Sequence, residues 1–345
     1  MEKVKVAING FGRIGRAFFK LAVFRKDIEI VAINDLGNID NLAYLLKYDS
    51  VYGPSGLSVE VHDEALVVEG RTIQFISEPD PAKLPWKALH VDVALEATGV
   101  FASFQKAKAH LDAGAKRVVI SAPVKDVPPE GITGETVLLG VNEEKLKTCD
   151  ISSNASCTTN AGSPLVQILK EKIGIEKAVL NTVHGYTASQ SIVDGPSKKD
   201  PRRGRAGAIN IIPSTTGAAT ATTKAITDLD GKFDGMAMRV PVPVGSLVDV
   251  TFIASRDTSV EEVNTVLKSA AESKQWQGVF SVTEDPIVST DIIGSRFASI
   301  ADLNFTRVID GNLVKVLAWY DNEMGYTSTL VEHVVKSGQY GTGLA

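Results

Sequence analysis

Cysteine is scarce. The 345 residues include two, Cys149 and Cys157, too few for a disulfide framework, so stability has to come from a buried core. Histidine is nearly as sparse. His62, His90, His110, His184 and His333 fall at no paired ligand spacing, which argues against a metal site. No uninterrupted apolar run approaches the roughly 18 residues that a membrane span needs. The opening MEKVKVAING lacks the basic, apolar and small-residue pattern of a signal peptide, so a soluble, cytoplasmic protein is expected. Neither sign of charge dominates. A net charge of -5 gives no global reason to expect a nucleic-acid partner. Internal repeats and low-complexity segments are also lacking.

What is present has two textures. The length is a prior for about two domains. The first half alternates β-like runs with helical ones: Lys3 to Ile8, Arg13 to Phe24, Ile28 to Asn34, Asn38 to Lys47, Val91 to Ala97, Phe104 to Ala113 and Arg117 to Ser121. Such alternation predicts an α/β domain with a parallel sheet and helices on both faces. Near residue 150 the pattern changes. A helix is expected over Thr158 to Lys172, then a long β-branched run, Lys177 to Tyr186. Residues 188–210 have no period and read as a long irregular loop, a feature uncommon unless functional. Strand-like runs follow at Met236 to Val240, Leu247 to Ala254, Ala298 to Leu303 and Leu313 to Tyr320, with a helix expected over Tyr326 to Ser337. The second domain is therefore expected to be α+β with a mixed or antiparallel sheet. The boundaries expected are 1–156 for the first domain, completed by a C-terminal helix at about 326–345, and 157–325 for the second.

Gly10, Gly12 and Gly15 form G-x-G-x-x-G between the strand-like run Val4 to Ile8 and a helical pattern, the context that this motif requires. The first glycine permits a tight turn, the second lets the backbone approach a pyrophosphate, and the third allows close helix–strand packing. The helix N-terminus offers N–H groups to the phosphates. Asp35 stands at the acidic position after the second strand. Its carboxylate suits both ribose hydroxyls and would repel a 2′-phosphate, which favours NAD over NADP.

Residues 154–160 read Asn-Ala-Ser-Cys-Thr-Thr-Asn, with Cys157 where a strand turns into a helix. A helix N-terminus lowers a thiol's pKa, and the thiolate is the attacking form. Ser156, Thr158 and Thr159 suit helix capping or anion binding. By itself the segment also fits a buried cysteine among capping residues. A Cys nucleophile needs a nearby base or cation, and His184, between a strand and the long loop, has the most suitable surroundings of the five histidines.

Taken together, NGFGRIGR (9–16), INDL (33–36), LLKYDSVYG (45–53), EATG (96–99), ISAP (120–123), SNASCTTN (153–160), TVHGYT (182–187), IIPSTTGAA (211–219), MAMRVPVP (236–243) and WYDNEMGY (319–326) resemble phosphorylating glyceraldehyde-3-phosphate dehydrogenase over essentially the whole chain. The resemblance implies a Rossmann domain that binds NAD and a catalytic domain. It implies Cys157 as nucleophile, forming a thiohemiacetal and then a thioester, and His184 as base. Thr187 and Arg239 resemble the site for the substrate's phosphate. Ser156, Thr158, Thr216 and Gly217, with Arg203, resemble the site for attacking inorganic phosphate. Around the cofactor, Arg13 and Ile14 resemble residues flanking the pyrophosphate, Asn34 and Asp35 would face the adenosine ribose, and Thr98 and Ser121 would end strands beside it. Asn322 would hold the carboxamide, Tyr326 would pack next to it, and Leu36 and Pro196 resemble the NAD-type choice. The loop 188–210 carries Lys198, Lys199, Arg202, Arg203 and Arg205. In the family it lies between subunits, which implies a homotetramer acting on glyceraldehyde 3-phosphate and phosphate, with no nucleic acid or membrane required.

Three positions depart from the family pattern. Ala161 replaces a usual second cysteine, which removes a disulfide partner for Cys157. Oxidation there is expected to proceed to sulfenate or mixed disulfides instead. Ser189 replaces a common Asp near Arg239, leaving that arginine less restrained. Gly185 replaces a usual Ala beside the histidine, a change expected to be minor. The alternatives are an erythrose-4-phosphate dehydrogenase that uses water, a semialdehyde dehydrogenase using NADP, and a non-catalytic NAD- or RNA-binding regulator.

Overall fold

The structure, a computed structural model, describes residues 3–197 and 200–343. Lys198 and Lys199, two cations of the long loop, lie outside the described residues, as do the last two positions of the expected C-terminal helix. The chain divides into two compact units. One runs to Val137 and adds Asn142–Ala155 and the chain from Thr327 onward; the other comprises Leu138–Val141 and Ser156–Tyr326.

The first unit is built on a nine-stranded sheet. Its central strand, Val4–Asn9, runs parallel to Ile28–Asn34 on one side and Val93–Glu96 on the other. That strand is buried along nearly its whole length, as expected for a parallel strand covered on both faces. The parallel series continues through Arg71–Ile76 on one flank and through Arg117–Ile120, Ile151–Ser153 and Gly134–Thr136 on the other. Helices Arg13–Ala22, Ile39–Lys47 and Phe104–Asp112 occupy the expected segments. At one edge the sheet ceases to be parallel. There Val59–His62 and Ala65–Val68 form a hairpin that pairs antiparallel with Arg71–Ile76. These short strands carry little alternation, and their turns place Asp63, Glu64, Glu69 and Gly70 at positive φ. The C-terminal helix, Met324–Thr342, begins before Tyr326 and continues beyond Ser337. Within this unit its buried His333 meets Ser152 Oγ at 2.7 Å and Asn154 Oδ1 at 3.0 Å.

The second unit holds an eight-stranded mixed sheet. Its strand Ile175–Gly185 pairs parallel with Phe233–Val240 and antiparallel with Ser246–Ala254. Leu313–Tyr320 follows antiparallel, then Ser299–Asp302 and Phe280–Thr283. The two-residue period of Ile175–Gly185 buries Leu180, Thr182 and His184 on one face. Helix Cys157–Lys172 contributes Leu165 and Leu169 to the core that contains Leu180, Val248 and Val316. Gly162 permits this approach, since a Cβ there would stand 2.8 Å from Leu180 Cδ1. Helices Ala218–Ala225 and Val260–Ala271 were not anticipated. The second was legible, because Ser259 caps it by accepting from the Glu262 N–H, the Ser-x-x-Glu signature of a helix start.

Candidate active site

Strand Ile151–Ser153 ends in a turn in which Ala155 adopts φ 56°, a left-handed conformation uncommon for a residue with a Cβ. Ser153 Oγ holds that turn, accepting from Ala155 N at 3.0 Å and donating to the Ala122 carbonyl at 2.7 Å. Ser156 caps the next helix by accepting from Thr159 N at 3.1 Å. Cys157 is thus the first helical residue, among the N–H groups that a helix leaves without internal partners.

Cys157 Sγ lies 3.3 Å from His184 Nε2. Two adjacent parallel strands place His184 opposite Arg239, and Arg239 Nη1 reaches His184 Nδ1 at 2.8 Å and the Gly185 carbonyl at 3.2 Å. That carbonyl also lies 2.6 Å from His184 Nδ1. Tyr320 and the imidazole pack in a T-shaped arrangement, 5.9 Å between centroids. Its hydroxyl bonds Thr158 Oγ1 at 3.0 Å and Thr182 Oγ1 at 2.7 Å. Tyr320 ends an alternating strand, where a tyrosine carries no sequence signal of its own.

Electrostatics correct one expectation. Burial pushes the Cys157 thiol above its usual range; the Arg239 charge and hydrogen bonding to Thr158 oppose the rise. Burial first, and then the Arg239 charge, hold His184 down to about 3. His184 is therefore neutral at pH 7, with one ring nitrogen an acceptor. The second cysteine, Cys149, packs with Val137 and Leu146, and burial raises its thiol to about 11. Ala161 is buried in the core.

The anion-site residues occupy varied positions. Thr187 Oγ1 bonds Ser189 Oγ at 2.9 Å, while Arg239 turns to His184. Gln190 Oε1 accepts from Thr187 N at 3.0 Å, a contact not anticipated. Arg203 donates to Ser214 Oγ from Nε at 3.0 Å and from Nη2 at 2.7 Å. Thr216 Oγ1 accepts from Ala218 N at 3.2 Å, and Gly217 is the N-cap of helix Ala218–Ala225, with open space where a Cβ would stand. Asn322 Oδ1 accepts from Ser246 Oγ at 2.9 Å and Gly245 N at 3.2 Å, which fixes its amide orientation. Tyr326 is buried near the start of the last helix. Gly185 matters more than expected: a Cβ there would lie 2.9 Å from the Val242 carbonyl, so alanine requires the backbone to move.

In the first unit, a cleft of about 340 Å³ is lined by Asn9, Gly10, Gly12, Asn34, Asp35 and Thr98, with Leu36, Glu78 and Phe101. Gly10 has φ 98°, and a Cβ on Gly15 would stand 2.1 Å from the Gly10 carbonyl oxygen, whereas one on Gly12 would meet nothing within 4 Å. The turn is therefore closed by Gly15 and left open at Gly12, as a pyrophosphate cradle requires. Asp35 accepts from Phe11 N at 2.6 Å and Gly37 N at 2.8 Å, which presents its carboxylate at the cleft. Ile14 is half-buried in the first turn of the helix. Arg13 pairs with Asp49 at 3.3 Å, and Ser121 follows strand Arg117–Ile120. Asn9 and Glu78 were not anticipated. Among the described residues no group of His, Cys, Asp or Glu is arranged to hold a metal.

The family described as glyceraldehyde 3-phosphate dehydrogenase, NAD binding domain, matches residues 4–104, and its C-terminal domain matches residues 156–322. The chain is 47% identical over 338 residues to glyceraldehyde-3-phosphate dehydrogenase 2 of Streptomyces avermitilis, covering 97% of this chain and 98% of that one. It is 48% identical over 337 residues to glyceraldehyde-3-phosphate dehydrogenase of Borreliella burgdorferi, covering 95% and 98%. It is also 48% identical over 331 residues to that of Geobacillus stearothermophilus, covering 95% and 96%.

Proposed function

Because the chain belongs to the glyceraldehyde 3-phosphate dehydrogenase family, we propose that it oxidises glyceraldehyde 3-phosphate with NAD through a thioester on Cys157. The product is 1,3-bisphosphoglycerate, formed reversibly, in glycolysis and gluconeogenesis. The observation that carries this reading is the 3.3 Å approach of Cys157 Sγ to His184 Nε2. With its proton on Nδ1, donated to the Gly185 carbonyl, and with Arg239, which can only donate, giving its hydrogen bond to that same carbonyl rather than to the ring, His184 turns a lone pair toward the thiol and acts as its base. Sulfur adds to the aldehyde carbon to give the thiohemiacetal. The Cys157 backbone N–H, at the start of the helix, and His184 then stabilise the oxygen.

When bound, NAD supplies the acceptor for the hydride that leaves the thiohemiacetal carbon. Gly10, Gly12, Arg13, Ile14 and Gly15 would face its pyrophosphate, and Asn34 and Asp35 its adenosine ribose. Thr98 and Ser121 would lie beside it, with Asn322 and Tyr326 at the nicotinamide. Inorganic phosphate attacks the thioester carbon and the sulfur leaves. Ser156, Thr158, Arg203, Thr216 and Gly217 hold that phosphate, and Thr187 and Arg239 hold the substrate's own, a task suited to hydroxyls and a planar guanidinium.

The test follows NADH formation spectrophotometrically with and without phosphate. Cys157→Ser is expected to lower kcat by about 10³-fold or more, and His184→Asn by about 10²–10⁴-fold. Full activity in Cys157→Ser, or turnover indifferent to phosphate, overturns the mechanism. The second outcome with erythrose 4-phosphate preferred supports the water-using alternative.

The reading extends to a cytoplasmic homotetramer. No helix among the described residues is long and apolar enough to cross a membrane. Ile192, Val193 and Ile209 on the long loop are exposed in the single chain, and apolar side chains grouped on a surface loop favour association. Sedimentation velocity checks this, and a monomer mass at micromolar concentration counts against it.

A further inference from the structure

Glu96 ends a strand in the first unit and is 1% exposed. Its Oε1 accepts from the backbone N–H of Thr98 at 2.8 Å and from the Thr98 hydroxyl. Its Oε2 accepts from Asn9 Nδ2 at 2.6 Å and from His110 Nε2 at 3.1 Å. A buried carboxylate is costly unless its lone pairs are answered, and here both oxygens are.

The proton directions around Glu96 are fixed from both ends. Trp86 Nε1 meets His110 Nδ1 at 3.0 Å. An indole N–H can only donate, so Nδ1 is the acceptor and the Nε2 proton points at Glu96. On the other side, Asn9 donates through its amide nitrogen, so its Oδ1 is left to accept from Asn34 Nδ2 at 2.7 Å. Asn34 Oδ1 in turn accepts from Glu78 N at 2.9 Å. Two runs of donors, one starting at Trp86 and one passing through the asparagines, converge on a group that only accepts. Asn9, Asn34, Glu78 and Thr98 all line the cleft.

We propose that Glu96 is a positioning residue for the dinucleotide: as an acceptor-only hub backed by His110 and Trp86, it sets the amide orientations of Asn9 and Asn34 and the placement of Thr98. The proposal rests on the reading of this cleft as the NAD site. It gives the carboxylate a role that an amide of the same shape could not fill. In Glu96→Gln one oxygen becomes an NH₂ group. It would face either Thr98 N–H or the N–H groups of Asn9 and His110, donor against donor. Turning the Asn9 amide to relieve this only moves the conflict to Asn34.

The test measures NAD affinity directly, by calorimetry on the full-length protein, alongside steady-state kinetics. Glu96→Gln is expected to weaken NAD binding about tenfold, the scale of a misdirected hydrogen bond to a charged group. Its kcat at saturating NAD should stay within about twofold, a split that general destabilisation would not produce. Trp86→Phe releases the His110 proton from its fixed position and should weaken NAD binding about two- to threefold, again with kcat kept. Asp35→Ala is the control for the cleft. If Asp35→Ala weakens binding while Glu96→Gln and Trp86→Phe keep wild-type affinity, the Glu96 proposal falls and the cleft reading stands. If none of the three changes affinity, the cleft reading falls with it. Should Glu96→Gln fail to fold, Trp86→Phe decides alone: wild-type NAD affinity in that variant overturns the proposal.

Discussion

Arg239 brings a full positive charge against a half-buried thiol and a buried imidazole, and the sign of its effect on each follows from charge alone. It favours the thiolate of Cys157 and disfavours the imidazolium of His184. Burial works against the thiolate and is the larger effect, and the Arg239 charge is its main counterweight. Arg239→Leu is therefore expected to move the pH profile of iodoacetamide alkylation to higher pH, with a smaller displacement in Arg239→Lys. An unchanged profile would show that Arg239 acts only on the substrate. Ser189, where an Asp is common in the family, bonds Thr187 rather than Arg239, which is consistent with the guanidinium lying on His184. Cys157 and His184 were legible as residue types in context. The Arg239–His184 contact was not, since it depends on the register of two strands and joins residues 55 positions apart.

At the scale of elements, the glycine turn separates packing from binding. Gly15 lies against the Gly10 carbonyl oxygen, where an added Cβ would come to 2.1 Å, whereas Gly12 faces open space. Gly15→Ala is expected to destabilise the first unit by about 1–3 kcal/mol or more, the cost of overpacking against backbone that cannot yield. Gly12→Ala should keep stability to within about 1 kcal/mol yet weaken NAD roughly tenfold or more, about 1.4 kcal/mol, because the new methyl would stand in the proposed pyrophosphate site. Urea unfolding and NAD titration of both variants check this, and equal stability losses would remove the distinction. The motif was readable because strand, turn and helix are consecutive in the chain. The edge hairpin, Val59–His62 with Ala65–Val68, was not, because four-residue strands supply too little alternation to stand out.

At the scale of the whole molecule, burial of neutral histidine links stability to pH. His333 is fully buried and held to about 3, chiefly by burial, with the Lys336 charge adding to it. An unfolded histidine titrates near 6.5. Below that value the unfolded chain binds a proton that the folded one refuses, so stability is complete above pH 6.5 and declines as the pH falls toward 3. Each such group adds a slope of up to about 1.4 kcal/mol per pH unit. Urea unfolding between pH 6.5 and 5, above the range of ordinary carboxylates, should lose about that slope in His333→Gln for the transition of the first unit. A slope identical to wild type would mean that His333 is not the proton acceptor in question.

The sequence by itself determined what local order can encode: the alternating strands and helices, the glycine cradle with Asp35, the cysteine at a helix start, and the family to which these motifs belong. Tertiary structure decided what depends on distant segments meeting. Register set Arg239 against His184. The packing of Leu313–Tyr320 brought Tyr320 to the same imidazole. Burial, a property no single segment has, reversed the expected direction for the Cys157 thiol and turned Glu96, His110 and Trp86 into one hydrogen-bonded unit.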